Sequence, residues 1–200
     1  MGAAEKVLAS IVDYLEFEDQ SEAKHEYHDG YIVNMAGGTW NHGVISASVL
    51  ASLSAGLAQK PCTPASSDVK VLAESANHYF YPDALVICGK PEFDGNRKDI
   101  VKNPTLIVEV LSDSTESYDR GGKFQVYRSI PSLKEYVLVS QQTAHIEAFF
   151  KNAQGIWQLA EAKGTEGILP LYSLEMELAL ADVYAKVDFE ANEEPPKNEI

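Results

Sequence analysis

Cysteine is scarce in this 200-residue chain: Cys62 and Cys88 are the only two, and no Cys-x-x-Cys spacing prepares a zinc or redox motif. Long apolar runs are missing as well. The first ten residues hold no signal-type core, and the longest uncharged helical stretch, residues 43–59, is broken by four serines and a glycine. Neither export nor a membrane span is expected, and the chain reads as cytoplasmic. In that compartment a disulfide would be unusual, so the two thiols read as small buried hydrophobes. Positive charge is the third shortage. Sixteen Lys and Arg face thirty Asp and Glu, a net charge of −14, and no basic stripe appears. Because nucleic-acid affinity normally rests on Lys and Arg contacts with phosphates, this composition argues against strong binding of long duplexes.

The distribution of charge weakens that objection. Residues 1–29 hold eight acids against two bases, and residues 188–200 hold five acids against one. Residues 83–136 are near neutral, with nine acids and eight bases. The acidity belongs to the ends. Length and a 45% hydrophobic content suit one domain, assigned to residues 1–187, followed by an acidic disordered tail at 188–200.

Periodicity gives an amphipathic helix over residues 5–17, with Val7, Leu8, Ile11, Val12 and Leu15 on one face. A hairpin over 24–35 turns at Asp29-Gly30. Asn41 is placed to cap a buried helix over 42–59, and strands follow at 62–72, 79–88 and 105–111. A helix over 114–129 must carry Gly121-Gly122, which costs roughly 1 kcal/mol each against alanine and implies a close approach there. Pro131 ends that helix. Strands at 135–140, 144–150, 156–162 and 167–172 and a short helix at 178–186 complete the pattern, and no internal repeat is present.

The most hydrophobic run, Pro104-Thr-Leu-Ile-Val-Glu-Val-Leu-Ser112, contains Glu109. An interior strand strips water from that carboxylate, so a metal, a cation or hydrogen-bond donors must replace it. Asp83, in Phe80-Tyr-Pro-Asp-Ala-Leu-Val-Ile-Cys88, and Lys123, on the following helix, are the candidates. Two acids on strands and a lysine on a helix point to a metal-dependent phosphodiesterase site. Asp119, Lys123 and Tyr127, spaced four apart, share a helix face. The competing account of Asp119 and Lys123 is a surface ion pair.

Other signals are weaker. Gly121-Gly122-Lys123 lacks the spacing of a phosphate-cradling loop, and Ser112-Asp-Ser-Thr115 has no histidine base assigned to it. His25 and His28 find no further Cys or His ligands and are expected on exposed strand positions.

The order helix, strand, strand, strand, helix, strand from Asn41 onward resembles the core of the PD-(D/E)XK nuclease superfamily. Pro82-Asp83 resembles its PD, Glu109-Val110-Leu111 its (D/E)XK with leucine in the lysine's place, and Lys123 a lysine moved to the next helix. Tyr81-Pro-Asp-Ala-Leu-Val, Asn103-Pro-Thr-Leu-Ile-Val-Glu-Val-Leu-Ser, Asp119-x-x-x-Lys123-x-x-x-Tyr127 and Glu135-Tyr-Val-Leu-Val are similar to the bacterial Uma family of restriction endonucleases. His25-Glu-Tyr-His-Asp-Gly-Tyr-Ile-Val and His42 extend the similarity over about residues 20–185.

This resemblance implies an α/β (α+β) restriction-endonuclease-like fold, a mixed central sheet flanked by helices, with an amino-terminal helix and hairpin and extra carboxy-terminal antiparallel strands. It implies a Mg²⁺-dependent endonuclease acting on DNA, with Mn²⁺ as a substitute and a homodimer as the working unit. Asp83, Glu109 and the Val110 carbonyl would hold the ion, and Lys123 would orient or help deprotonate water. Glu26, His42, Asp119 and Tyr127 are auxiliary candidates: Glu26 from the hairpin, His42 for water or phosphate or as part of a helix cap, Asp119 to steer the lysine and Tyr127 to cover it. The alternative is a catalytically idle binding or assembly module of the same fold.

Overall fold

A computed structural model describes residues 7–35 and 37–189. The chain runs β1 (Val7–Leu8), α1 (Ile11–Gln20), β2 (His25–His28), β3 (Tyr31–Asn34) and α2 (Trp40–Leu57). Then come β4 (Cys62–Ser66), β5 (Lys70–Ala73), a 3₁₀ turn at Glu74–Ala76, β6 (His78–Phe80), β7 (Ala84–Cys88), β8 (Phe93–Asp94), β9 (Arg97–Val101) and β10 (Leu106–Leu111). A composite helix follows: α3 (Glu116–Tyr118), a π-helical turn (Asp119–Lys123) and α4 (Phe124–Tyr127). The last elements are β11 (Glu135–Ser140), β12 (His145–Lys151), β13 (Trp157–Lys163), β14 (Ile168–Leu171), β15 (Met176–Ala179) and α5 (Leu180–Val183).

Six strands form the central sheet in the order β13-β12-β11-β10-β7-β4, mixed because β10 and β11 run parallel while every other neighbouring pair is antiparallel. A seven-stranded sheet, β1-β3-β2-β6-β5-β9-β8, takes the amino-terminal hairpin, and β14 pairs with β15. Alternation along β10 divides the core into two layers. Leu106, Val108 and Val110 face Ile45, Val49, Leu53 and Leu57 of α2. Ile107 and Leu111 face the other way, toward Phe124, Tyr127, Leu133 and Tyr136. Glu109 shares the parity of Ile107 and Leu111 and therefore enters the second layer, the one closed by the composite helix.

Several expectations are corrected. The first helix begins at Ile11, because Ser10 and Asp13 form a reciprocal capping box and Val7–Leu8 pairs as a strand with Ile32 and Tyr31. Its buried residues are Tyr14 and Glu18, while Leu8 and Val12 are exposed. Thr39, not Asn41, caps α2, accepting the His42 N–H, while the buried Asn41 amide donates to the Asp188 carbonyl. Only a stripe of that uncharged helix is buried, at a spacing of four from Asn41 to Leu57, and Trp40 projects outward. The runs 62–72 and 79–88 each split into two strands belonging to different sheets, and β8 and β9 carry too few apolar residues to have been read. The close of the chain reads β15 then α5 where one helix was expected.

Cys62 and Cys88 stand opposite each other on β4 and β7 and are joined in a disulfide, not free thiols. Among the described residues no helix is long and apolar enough to cross a membrane. The tail assignment falls mainly on residues 190–200, outside the described residues. Asp188 is tied to Asn41, and Phe189 packs on Tyr184.

Candidate active site

Asp83 lies just before β7, whose Ala84 pairs with Val108, so its carboxylate arrives beside the far end of β10. There Asp83 Oδ2 accepts the Val110 N–H at 2.7 Å. Pro82 helps, since its fixed φ stiffens the entry to the strand. Glu109 is buried, and its Oε1 meets Lys123 Nζ at 2.9 Å and accepts the Tyr127 hydroxyl at 2.9 Å.

Lys123 also stands 3.3 Å from Glu26 Oε1 and 3.7 Å from Asp119 Oδ1, with its ammonium 5.5 Å from the Phe80 ring centroid. The expected regular helix is widened by one turn here. That π-helical turn buries Asp119 and Lys123 together, where a surface ion pair was the competing account. Such a widened turn is a frequent companion of functional sites. A Cβ on Gly122 would lie 2.7 Å from Tyr118 Cε2, which explains the glycine; Gly121 faces open space. From the first residues of α2, His42 Nε2 reaches Asp83 Oδ2 at 3.4 Å.

All seven side chains named from the sequence, Asp83, Glu109, Lys123, Glu26, His42, Asp119 and Tyr127, are thus linked in one cluster, with Val110 contributing backbone. Its electrostatics follow from burial. Desolvation opposes the Lys123 charge, but Glu109, Glu26 and Asp119 outweigh it and hold the ammonium well above the ordinary lysine range. Desolvation lifts the Glu109 carboxyl well above its usual value despite Lys123, with Asp83 and Asp119 adding to the rise. Asp119 is raised by burial too, against the pull of Lys123 and a Thr115 hydrogen bond. For Glu26, burial is overcome by Lys123, His28 and the Tyr81 N–H, and its acidity increases. The hydrogen bond to Asp83 raises His42, burial opposes, and the Val110 backbone adds to the rise.

Some participants went unread. His28 is not an exposed strand histidine: its Nε2 lies 2.9 Å from Glu26 Oε2, and its ring stacks on His78 and Tyr118. His25 is likewise taken by Glu18, at 3.0 Å. The Tyr136 hydroxyl donates to the Asp119 carbonyl, and the Tyr81 N–H to Glu26 Oε1. The period of two in His25-Glu-Tyr-His marks Glu26 and His28 as sharing a strand face, which was the available signal. A second group, His145, Glu147 and Glu161 on β12 and β13, brings three possible ligand atoms together, but Arg120 meets Glu147 and Lys163 meets Glu161.

A mixed sheet whose inner strands deliver acids to a buried lysine defines a restriction-endonuclease-like protein. Its overall shape matches a solved chain described as a putative nuclease belonging to DUF820 from Anabaena variabilis, with a TM-score of 0.72 at 13% identity, covering 88% of this chain and 98% of that one. The chain belongs to the Uma2 family, described as "Putative restriction endonuclease", which it matches over residues 11–181. Two uncharacterized proteins of Synechocystis sp. are similar along most of their length. One, slr1290, is 36% identical over 177 residues, covering 88% of this chain and 92% of that protein. The other, sll1609, is 35% identical over 162 residues, covering 81% and 91%.

Proposed function

We propose that this protein is a Mg²⁺-dependent endonuclease that hydrolyses phosphodiester bonds in DNA, with Mn²⁺ as a substitute, as a cytoplasmic homodimer. The observation that carries this reading is the convergence of Asp83, Glu109 and Lys123 at the end of β10. The family description and the nuclease-like fold support it.

The donor chemistry suits the ion. Asp83 and Glu109 offer hard carboxylate oxygens and Val110 a carbonyl, the kind of ligand Mg²⁺ and Mn²⁺ accept. Asp83 Oδ1 and Glu109 Oε2 make no hydrogen bond among the described residues, so each carboxylate keeps an oxygen for a cation. The chemistry a bound divalent ion supplies is a nucleophilic water and relief of charge on the phosphorus. Lys123, held by Glu109, Glu26 and Asp119, would steady negative charge on the phosphate and orient or help deprotonate the water. Tyr127 holds Glu109 Oε1 in place, and Asp119 and Glu26 hold the lysine. His42, against Asp83 and the Val110 backbone, is placed to position water or phosphate. A duplex has two strands to cut, which favours two copies related by a two-fold axis.

One observation favours the idle module instead: Lys123 is already paired with Glu109, Glu26 and Asp119, and His42 with Asp83. Calorimetry separates the two. Mn²⁺ or Mg²⁺ should bind the wild type and not Glu109→Ala, and supercoiled, linear and single-stranded DNA, with an RNA control, should be cut by the wild type and not by Lys123→Ala. Equal behaviour of wild type and Glu109→Ala would leave the module.

A further inference from the structure

Outside that cluster, a buried carboxylate on α1 touches the site's neighbours. Glu18, near the end of α1, is almost fully enclosed. Its two oxygens accept the His25 N–H at 3.1 and 3.2 Å, Oε2 meets His25 Nδ1 at 3.0 Å, and Oε1 accepts the Tyr81 hydroxyl at 2.7 Å. A helix that merely covered a sheet would place an apolar side chain there, because burying a carboxylate costs free energy that only its partners return.

The partners are informative. Tyr81 is enclosed, and the ammonium groups of Lys24 and Lys70 lie 5.3 and 5.0 Å from its ring centroid. Both lysines are themselves held, Lys24 by Asp68 at 2.7 Å and Lys70 by Asp99 at 2.8 Å. Arg97 ties Asp19, the residue after Glu18, to Asp99. Tyr81 is thus held at its hydroxyl and lies near two paired lysines. Its backbone N–H donates to Glu26 Oε1 at 3.3 Å, the same oxygen that meets Lys123 Nζ at 3.3 Å. One residue further, Pro82 hands the chain to Asp83. His25, the second partner of Glu18, directly precedes Glu26.

We infer that Glu18 and Tyr81 are positioning residues of the candidate active site: α1, which lies outside the nuclease core order, sets where Glu26 and Asp83 stand by clamping the Tyr81 ring and His25. This rests on the proposed function for its consequence, though not for its geometry. Groups behind metal ligands and their neighbours commonly alter metal affinity 10- to 100-fold when removed.

Tyr81→Phe deletes only the hydroxyl, and Glu18→Gln keeps the size of the side chain. In both, Mn²⁺ affinity measured by calorimetry should fall about tenfold, and kcat on DNA should fall with KM unchanged. In metal-free protein the ¹⁵N resonance of the Lys123 ammonium should move, because Glu26 Oε1 is shared. The double variant Glu18→Leu with Tyr81→Phe removes the pair but also leaves the His25 N–H without its acceptor, so neither affinity nor Tm should recover. Unchanged affinity and an unchanged Lys123 resonance in folded Tyr81→Phe would overturn the inference, as would recovery of affinity together with Tm in the double variant. A wild type that neither binds Mn²⁺ nor cuts DNA would overturn the proposed function alone, and the Lys123 resonance would still decide the positioning role.

Discussion

Glu109 and Glu135 are both buried glutamates, on neighbouring parallel strands of one sheet, yet they meet opposite surroundings. Glu135, at the start of β11, opposes Leu106 at the start of β10, whereas Glu109 lies toward that strand's far end. Glu135 accepts the Tyr172 N–H at 3.1 Å, the Ser173 N–H at 2.9 Å and the Ser173 hydroxyl at 2.6 Å. Among the described residues no lysine, arginine or second acid is bonded to it. Those donors fasten the chain after β14 to the sheet, which is a structural task. Glu109 has one tyrosine hydroxyl, one lysine and two further acids, Asp83 and Asp119, nearby, with one oxygen left over. Burial raises both carboxyl groups, but the counterweight is Lys123 in one case and the Ser173 and Tyr172 donors in the other. A buried carboxylate is therefore not by itself a sign of chemistry; the kind of partner is.

Substitution should separate the two sites. The largest difference is expected in cleavage: Lys123→Ala and Glu109→Ala should lower kcat on DNA by about 10³-fold, and Glu135→Gln should leave it within a few-fold, as steady-state assays can measure. A comparable loss in Glu135→Gln would break the contrast. Stability should run the other way. Glu135→Ala strands three donors and should cost about 3 kcal/mol in urea unfolding, while leaving Mn²⁺ affinity of the folded fraction intact.

Smaller effects sharpen the picture around Glu109. Tyr127→Phe removes its hydroxyl donor and should cost about 1 kcal/mol by thermal or urea denaturation, with a weaker hold on Mn²⁺. The smallest concerns His42. Its folded pKa is raised above 6.5, so its stabilising contact with Asp83 is fully present below that value and is lost as pH rises through the higher folded pKa. Metal-free protein should accordingly lose a fraction of a kcal/mol over that interval, and His42→Ala should flatten the slope. Affinity for Mn²⁺ should rise over the same interval, because protonated His42 competes for Asp83. A pH-independent stability curve in the wild type would remove His42 from this account.

Much of this site was legible in the residues. A glutamate in an apolar run, an acid after Pro82, and the four-residue spacing of Asp119, Lys123 and Tyr127 all mark the cluster in the sequence. Other features were hidden because they depend on contacts between segments far apart in the chain. Glu18 meets Tyr81 across 63 positions, and Thr39 outcompetes Asn41 as a cap because Asn41 is drawn inward by the Asp188 carbonyl. The Cys62–Cys88 pairing follows from the β4 and β7 register, which no spacing rule reveals.

Local chemistry in the chain was enough to specify the mixed α+β class, the principal helices and strands that carry the site, and the identity of the polar groups at the end of β10. Alternation acts over a few residues, so it can be read from neighbours alone. Which carboxylate meets a lysine and which meets only backbone donors was decided by tertiary structure. A water-stripped charge is governed by whatever lies within a few ångströms of it, and strand register together with the widened helical turn determine what that is.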